Sequence, residues 1–381
     1  MINSLKFVFI SVPTQVAQTI SSGLYYSTQR LAALILMTNQ RLNYSYSSLN
    51  ELKNRRLTIL SAPKQDALVG ADKGPVNICV QITTSNKDVL EGILMVPRDR
   101  LETQHGKPRV RGRLMVAYCG IGGCYENWYF EGLKELYENF NTSILLVNYR
   151  GVGRSTGYIT VPQDLLEDGY IVAQYAYNQI ALDPHKIHFY GMSMGGAVAV
   201  NVVARLEKEG IKPASVCIDR SYSQLIQTIH CAMPLNLLKW FMSGLLSYTG
   251  WQIDSLQSVL KLAHTKVVVI RSETDSVIPS ETSLATALQD QTEGKAFYKL
   301  IDLPSPEPDD TPSSNTAIVA YQAPAKTYQE QLAEALTAWK IYVKRILLGI
   351  KAHSLPFSIA NYPIQVMAYE KVLTEAENRT R

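Results

Sequence analysis

Three things are scarce in this chain of 381 residues: paired cysteines, long apolar runs and charge of one sign. Its five cysteines, Cys79, Cys119, Cys124, Cys217 and Cys231, are an odd set with no C-x-x-C pair, which argues against a zinc module or a thioredoxin-type site. Cys79 and Cys217 fall in strand-like runs, where a buried thiol behaves as a small hydrophobe. A reduced, cytoplasmic setting is therefore expected, with a secreted effector or a membrane-associated protein as the alternatives. Lys and Arg number 37 against 33 Asp and Glu, a net +4 with no basic run, so nucleic acid is not an expected partner. The apolar stretches at residues 1–12 and 31–37 are too short to span a bilayer. They read as two amphipathic or buried helices, with a removed signal peptide as the alternative. Residues 1–40 are also a candidate membrane-surface contact. What the chain does have is 46% hydrophobic and 18% charged residues, which excludes disorder, a fibrous chain and a disulfide-stapled scaffold.

Residues 1–75 carry no motif and read as a partly helical N-terminal extension. From Val76 the pattern changes. Residues 77–84 and 89–96 are β-rich runs around the turn-like Ser85-Asn86-Lys87-Asp88, and predict a hairpin. Apolar strand-like runs then follow at 114–118, 143–147, 186–190, 215–219, 266–270 and 297–303. Helical spacing separates them at 125–140, 164–180 and 194–209. Continuous apolar strands alternating with helices predict an α/β protein with a mostly parallel sheet covered on both faces. Residues 221–263 are apolar but broken by Pro234, Gly244 and Gly250. They read either as helices packed on the sheet or as a cap whose apolar face meets an acyl or aromatic substrate. The Pro/Ser/Asp-rich segment 305–316 is the clearest linker, inside an expected insertion over 304–350. A long amphipathic helix at 327–350 and a last helix at 359–376 complete the expected order.

The chemistry concentrates in IHFYGMSMGGAVAV, residues 187–200. A strand runs into Gly191-Met192-Ser193-Met194-Gly195, and an Ala/Val-rich helix follows, which is G-x-S-x-G in its strand–turn–helix setting. So tight a turn needs glycine two residues before and after the serine. The helix N-terminus then aims backbone N–H groups at the serine. A second glycine-rich loop follows a strand in MVAYCGIGGCYENW, residues 115–128. The N–H groups of Ile121 and Met194 are the candidate oxyanion donors, each worth about 3–4 kcal/mol to an acyl-transfer transition state.

With YRGVGRSTG at 149–157 and GMSMGG at 191–196, the chain resembles the α/β-hydrolase superfamily of serine hydrolases over about residues 76–303, and over 76–381 if the insertion is included. CGIGGCYENW and IDRSYSQL are similar to hydrolase-fold proteins of intracellular bacteria. The resemblance implies an α/β-hydrolase fold, an esterase, lipase, thioesterase or peptidase activity, and no metal or cofactor. It also implies an acid after the penultimate strand, matched by Asp275 in DSVIP, with Ser272 standing where glycine is usual. Asp219, at the end of VCID, is the rival, with a turn-capping role as its alternative reading. The histidine expected just after Leu303 is missing. Among six, His105, His185, His188, His230 and His264 read as surface or core residues, and only His353 follows the order serine, acid, histidine. His353 also reads simply as the end of the long helix. The triad implied is Ser193, Asp275 and His353, acting on a small-molecule or lipid-like ester. The alternative is a non-catalytic interaction protein on a hydrolase scaffold.

Overall fold

The computed structural model describes residues 75–303, apart from 121–122, 129–136, 138–139, 141, 233–235, 276 and 293–297, together with residues 363–379. The extension at 1–75 (Pro75 excepted), the insertion at 304–350, the helix at 327–350, Ile121 and His353 lie outside the described residues.

The described residues open with the expected hairpin, β1 (Val76–Thr83) and β2 (Val89–Val96), paired antiparallel. A small polar hairpin follows, β3 (Leu101–Gln104) and β4 (Lys107–Val110), which turns at His105 and Gly106 with φ of 51° and 74°. His105 thus sits at a hairpin turn. Then come β5 (Leu114–Tyr118), a short helix α1 (Tyr125–Trp128), β6 (Ser143–Val147) and helix α2 (Pro162–Tyr175), which ends in a π turn over Ala176–Ile180. Strand β7 (Ile187–Met192) leads into α3 (Met194–Lys208), followed by β8 (Ser215–Asp219). Helices α4 (Leu225–Ala232), α5 (Asn236–Tyr248) and α6 (Ser255–Leu260) fill the apolar segment. Strand β9 (Lys266–Ser272), helix α7 (Leu284–Thr292), β10 (Tyr298–Leu303) and helix α8 (Pro363–Arg379) close the order.

Among the described residues, eight strands form one sheet in the order β1-β2-β6-β5-β7-β8-β9-β10. Only β1–β2 and β2–β6 pair antiparallel; the remaining neighbours are parallel. Strands β5, β6 and β8 are buried from end to end, which is why their sequences are unbroken apolar runs. From β5 the chain crosses one way to β6 and then returns to β7 on the other side of β5. That reversal opens a crevice at the carboxyl ends of β5 and β7, the general ligand position of open parallel sheets.

Close packing fixes this end of the sheet. A Cβ on Gly169 of α2 would come 2.5 Å from the Val198 side chain of α3, so that side chain packs directly on the α2 backbone. The Gly169 carbonyl accepts a hydrogen bond from the Tyr118 hydroxyl at 2.7 Å, tying α2 to the end of β5. Within residues 221–263, α6 lies on the body of the molecule, and its Ser258 hydroxyl donates to Asn201 of α3 at 2.8 Å. Helix α5 instead turns Trp240 and Phe241 outward, 73% and 59% exposed. No described helix is long and apolar enough to cross a membrane.

Helix α8 docks by charge as well as packing. Its Glu370 and Glu377 both bind Arg113, at 2.8 and 2.5 Å. Glu377 also meets Nε2 of the buried His188 at 3.3 Å, while Nδ1 of His188 faces the Ser215 hydroxyl at 2.8 Å. His188 is the core histidine its place in β7 predicts.

Candidate active site

Ser193 joins β7 to α3 in a backbone conformation with φ 55° and ψ −122°. Non-glycine residues rarely occupy that region, and holding one there costs about 1–3 kcal/mol. The glycine requirement read from the sequence is met geometrically. A Cβ on Gly191 would lie 2.1 Å from the Gly195 carbonyl oxygen, and one on Gly195 would lie 2.1 Å from the Tyr118 carbonyl oxygen. The turn thus closes against itself and against the end of β5. Ser193 is buried, 7% exposed.

Met194 is the first residue of α3, so its N–H has no acceptor within the helix and points out of the helix N-terminus. Its side chain is buried, with the sulfur receiving a hydrogen bond from the Tyr222 hydroxyl at 2.8 Å. On the facing side, a Cβ on Gly120 would sit 3.2 Å from the Ser193 Cβ and 3.8 Å from its Oγ. Gly120, which opens the glycine loop after β5, therefore lies against the serine. Ile121, the other oxyanion candidate, is outside the described residues.

That loop is fastened at both ends by the segment after β6. The Tyr149 hydroxyl donates to the Cys119 carbonyl at 3.3 Å, and Asn148 Oδ1 accepts from the Tyr125 N–H at 2.8 Å. Asn148 Nδ2 in turn donates to the buried Glu126 at 2.9 Å. Burial pushes the Glu126 carboxyl above its ordinary range, with the Asn148 hydrogen bond opposing. Next in the YRGVGRSTG motif, the buried Arg150 grips Asp168 of α2 through Nε and Nη2, at 2.8 and 2.6 Å, and its backbone N–H adds a third bond at 2.8 Å. Desolvation still lifts the Asp168 carboxyl to about 6, against the pull of Arg150. The motif read as a family signature is thus the strut beneath the glycine loop.

Asp275 lies just beyond β9, and is buried. Its Oδ1 accepts the N–H groups of Val277 and Ile278 at 2.8 and 2.9 Å, a local turn that fixes the carboxylate at the sheet end. One strand, β8, separates β9 from β7, so Asp275 and Ser193 stand two strand spacings apart, about 10 Å along the sheet edge. His353 is outside the described residues. Of the other histidines, His230 of α4 meets Ser243 of α5 at 3.2 Å, and His264 offers its backbone N–H to Glu207.

The rival acid is differently occupied from its expected turn-capping role. Both oxygens of Asp219 are taken, by Arg220 Nε and Nη2 at 2.7 and 2.8 Å and by the Tyr190 hydroxyl at 2.5 Å. This fully buried ion pair beside the Ser193 turn was not anticipated from the sequence. The only trace of it there is a charged dipeptide closing an otherwise apolar strand.

Residues 115–216, from β5 through the start of β8, match the family model described as the alpha/beta hydrolase fold. An uncharacterised protein of Acanthamoeba polyphaga mimivirus is 29% identical over 147 residues, 36% of this chain and 49% of its own length. The protein bem46 of Schizosaccharomyces pombe is 22% identical over 201 residues, 52% of this chain and 61% of its own. The chain therefore spans about half the length of the curated relatives it matches. Among solved structures, an alpha-beta hydrolase from Vibrio vulnificus aligns at 15% identity and a TM-score of 0.48, covering 72% of this chain and 84% of that one.

Proposed function

We propose that this chain, a member of the α/β-hydrolase superfamily, is a serine hydrolase that cleaves an ester, with a lipid-like acyl group as the favoured substrate. The observation that carries the reading is Ser193 itself. It is held at φ 55° on the strand-to-helix turn, against Gly120 and at the N-terminus of α3. Structural residues do not need that strain, whereas a nucleophile that must stand clear of its sheet does.

In this mechanism the Ser193 Oγ attacks the ester carbonyl carbon while its proton passes to the imidazole of His353. The carbonyl oxygen, now negative, is held by the N–H groups of Met194 and Ile121. Collapse breaks the bond to the alcohol, which leaves with the proton from His353, and an acyl-serine remains. Water then attacks, giving its proton to His353, and the carboxylic acid departs as the serine regains its hydrogen. Asp275 orients the imidazole and stabilises its cationic form. The chemistry needs no metal or cofactor. The lipid-like preference is supported by the exposed Trp240 and Phe241 of α5, which lie within the apolar segment 221–263 read as a cap.

A series of p-nitrophenyl esters from acetate to laurate tests the reading. The expected result is turnover that rises with chain length, and its loss in S193A and in H353A. Turnover unaffected by S193A, or none on any ester, contradicts it; in the latter case the hydrolase scaffold serves as an interaction protein.

A further inference from the structure

The residue pair that neither the triad nor the oxyanion donors use is the buried Asp219–Arg220 pair, and its position beside the nucleophile turn is informative. Strand β8 is the neighbour of β7, with Met192 opposite Asp219. Just past this register, the Ser193 N–H donates to the Asp219 carbonyl at 2.8 Å. The Ser193 carbonyl, on the other side of the same residue, accepts from the Ser221 hydroxyl at 2.7 Å. One three-residue segment therefore holds the peptide groups both before and after the strained serine.

That segment is braced by itself. Arg220 has φ 43°, a second left-handed non-glycine residue within the site. Its backbone N–H is bound to the Ile270 carbonyl of β9 at 2.9 Å. Its guanidinium folds back on the preceding carboxylate through two nitrogens, and Nη2 lies 3.7 Å from the sulfur of Met192, the residue before the serine. The Tyr190 hydroxyl, from β7, completes the set on Asp219. The Asp219 and Arg220 side chains are fully buried. A buried ion pair is a poor source of net stability, because desolvating two charges offsets their attraction. Its value here is geometric: it locks the turn after β8 against the turn after β7, each of which has one residue in a disfavoured conformation.

The geometry points to Asp219, Arg220 and Ser221 as the positioning element of the nucleophile, with Tyr190 as its anchor on β7. They clamp both peptide groups of Ser193 and so set the direction of its Oγ. None of them touches substrate; they act through Ser193. The inference rests on reading Ser193 as the nucleophile, and it assigns to IDRSY a role that the triad leaves empty.

The full-length chain and its S221A and Y190F variants are compared by two measurements. One is the rate of reaction with an alkyl fluorophosphonate across pH, in which a serine O–P bond forms and fluoride leaves. The other is hydrogen exchange at the Ser193 amide. Where the native chain is labelled at Ser193, the labelling rate decides. Both variants then react about tenfold to a hundredfold more slowly, and the midpoint of the pH profile stays put because the general base is untouched. A purely structural role would lower the melting temperature and leave the rate of the folded fraction unchanged. Native labelling rates in folded S221A and Y190F overturn the inference. Should S221A fail to fold, Y190F, which keeps its volume and loses one hydroxyl, decides alone. If the native chain is not labelled at all, the nucleophile reading fails, and the exchange measurement decides the clamp separately. Exchange at the Ser193 amide that rises at least tenfold in the variants supports the clamp, and unchanged exchange overturns it.

Discussion

Replacing each glycine around the nucleophile turn with alanine separates packing from chemistry, because the structure grades the clashes. On Gly195 the added carbon would lie 2.1 Å from the Tyr118 carbonyl oxygen and 2.7 Å from that of Cys119. Both are backbone atoms of the strand end and cannot rotate away. Relief needs a shift of about 1 Å between α3 and β5, and overpacking of this kind costs about 1–3 kcal/mol, occasionally more. The displaced atoms belong to the segment that leads into the Gly120 loop, so activity should fall further than stability, by about a hundredfold for a misplacement of that size. Gly191→Ala meets the Gly195 carbonyl at the same 2.1 Å and should behave alike. Gly196→Ala meets the Ser221 Cβ at 2.8 Å and the Ile218 side chain at 2.9 Å, and should be milder. Gly244→Ala on α5 meets nothing within 4 Å and should stabilise the chain by about 0.5–1 kcal/mol, since alanine is the better helix former. Urea unfolding and ester turnover measured side by side give both scales. A Gly195→Ala protein with native stability and native turnover would refute the geometry of the turn.

Other substitutions test the assigned roles. Asp275→Asn keeps an acceptor for the Val277 and Ile278 N–H groups, so the fold should survive while turnover drops by about 10⁴; a loss below tenfold removes Asp275 from the triad. Arg220→Met leaves the Asp219 carboxylate buried without its cation, and should cost about 3–5 kcal/mol in urea unfolding. In contrast to Asp275→Asn, it should do so at the expense of the fold. Acid should loosen α8 before the sheet. Burial lowers the pKa of His188 below its ordinary 6.5, so the stability that goes with its neutral ring is present above 6.5 and lost as pH falls below it. Glu377, pushed up by burial but held down to about 2 by hydrogen bonds from His188 and Arg113, contributes stability above 4.5 that fades as pH drops toward 2. Hydrogen exchange of residues 363–379 at pH 7, 5 and 3 checks this; protection that is flat across that range contradicts it.

Much of the fold could be read from the sequence because buried parallel strands leave plain signatures. Strands β5, β6 and β8 fall on the expected residues, and β7 starts one residue late because Pro184–Lys186 is a 3-10 turn. The β3–β4 hairpin was missed because LETQ and KPRV are short, polar and half-exposed, with neither apolar alternation nor a turn pair stronger than His105-Gly106. The helix expected at 164–180 begins at Pro162 and its last five residues widen into a π turn, a distinction that hydrophobic spacing does not encode. The serine turn was legible because glycine at fixed offsets is a local requirement. The charged pairs around it were not. Arg150 and Asp168 are 18 residues apart, Asn148 and Glu126 are 22 apart, and only the fold makes each a pair. Asp219 and Arg220 are adjacent, yet adjacency does not reveal that both side chains turn inward beside the Ser193 turn.

The central claim is that Ser193 is an activated nucleophile, and peptide mapping of the fluorophosphonate adduct tests it most directly. The account predicts one adduct per chain, carried by the peptide that contains Ser193 and absent from S193A. An adduct on another serine, or a native chain that reacts no faster than its unfolded form, would contradict it.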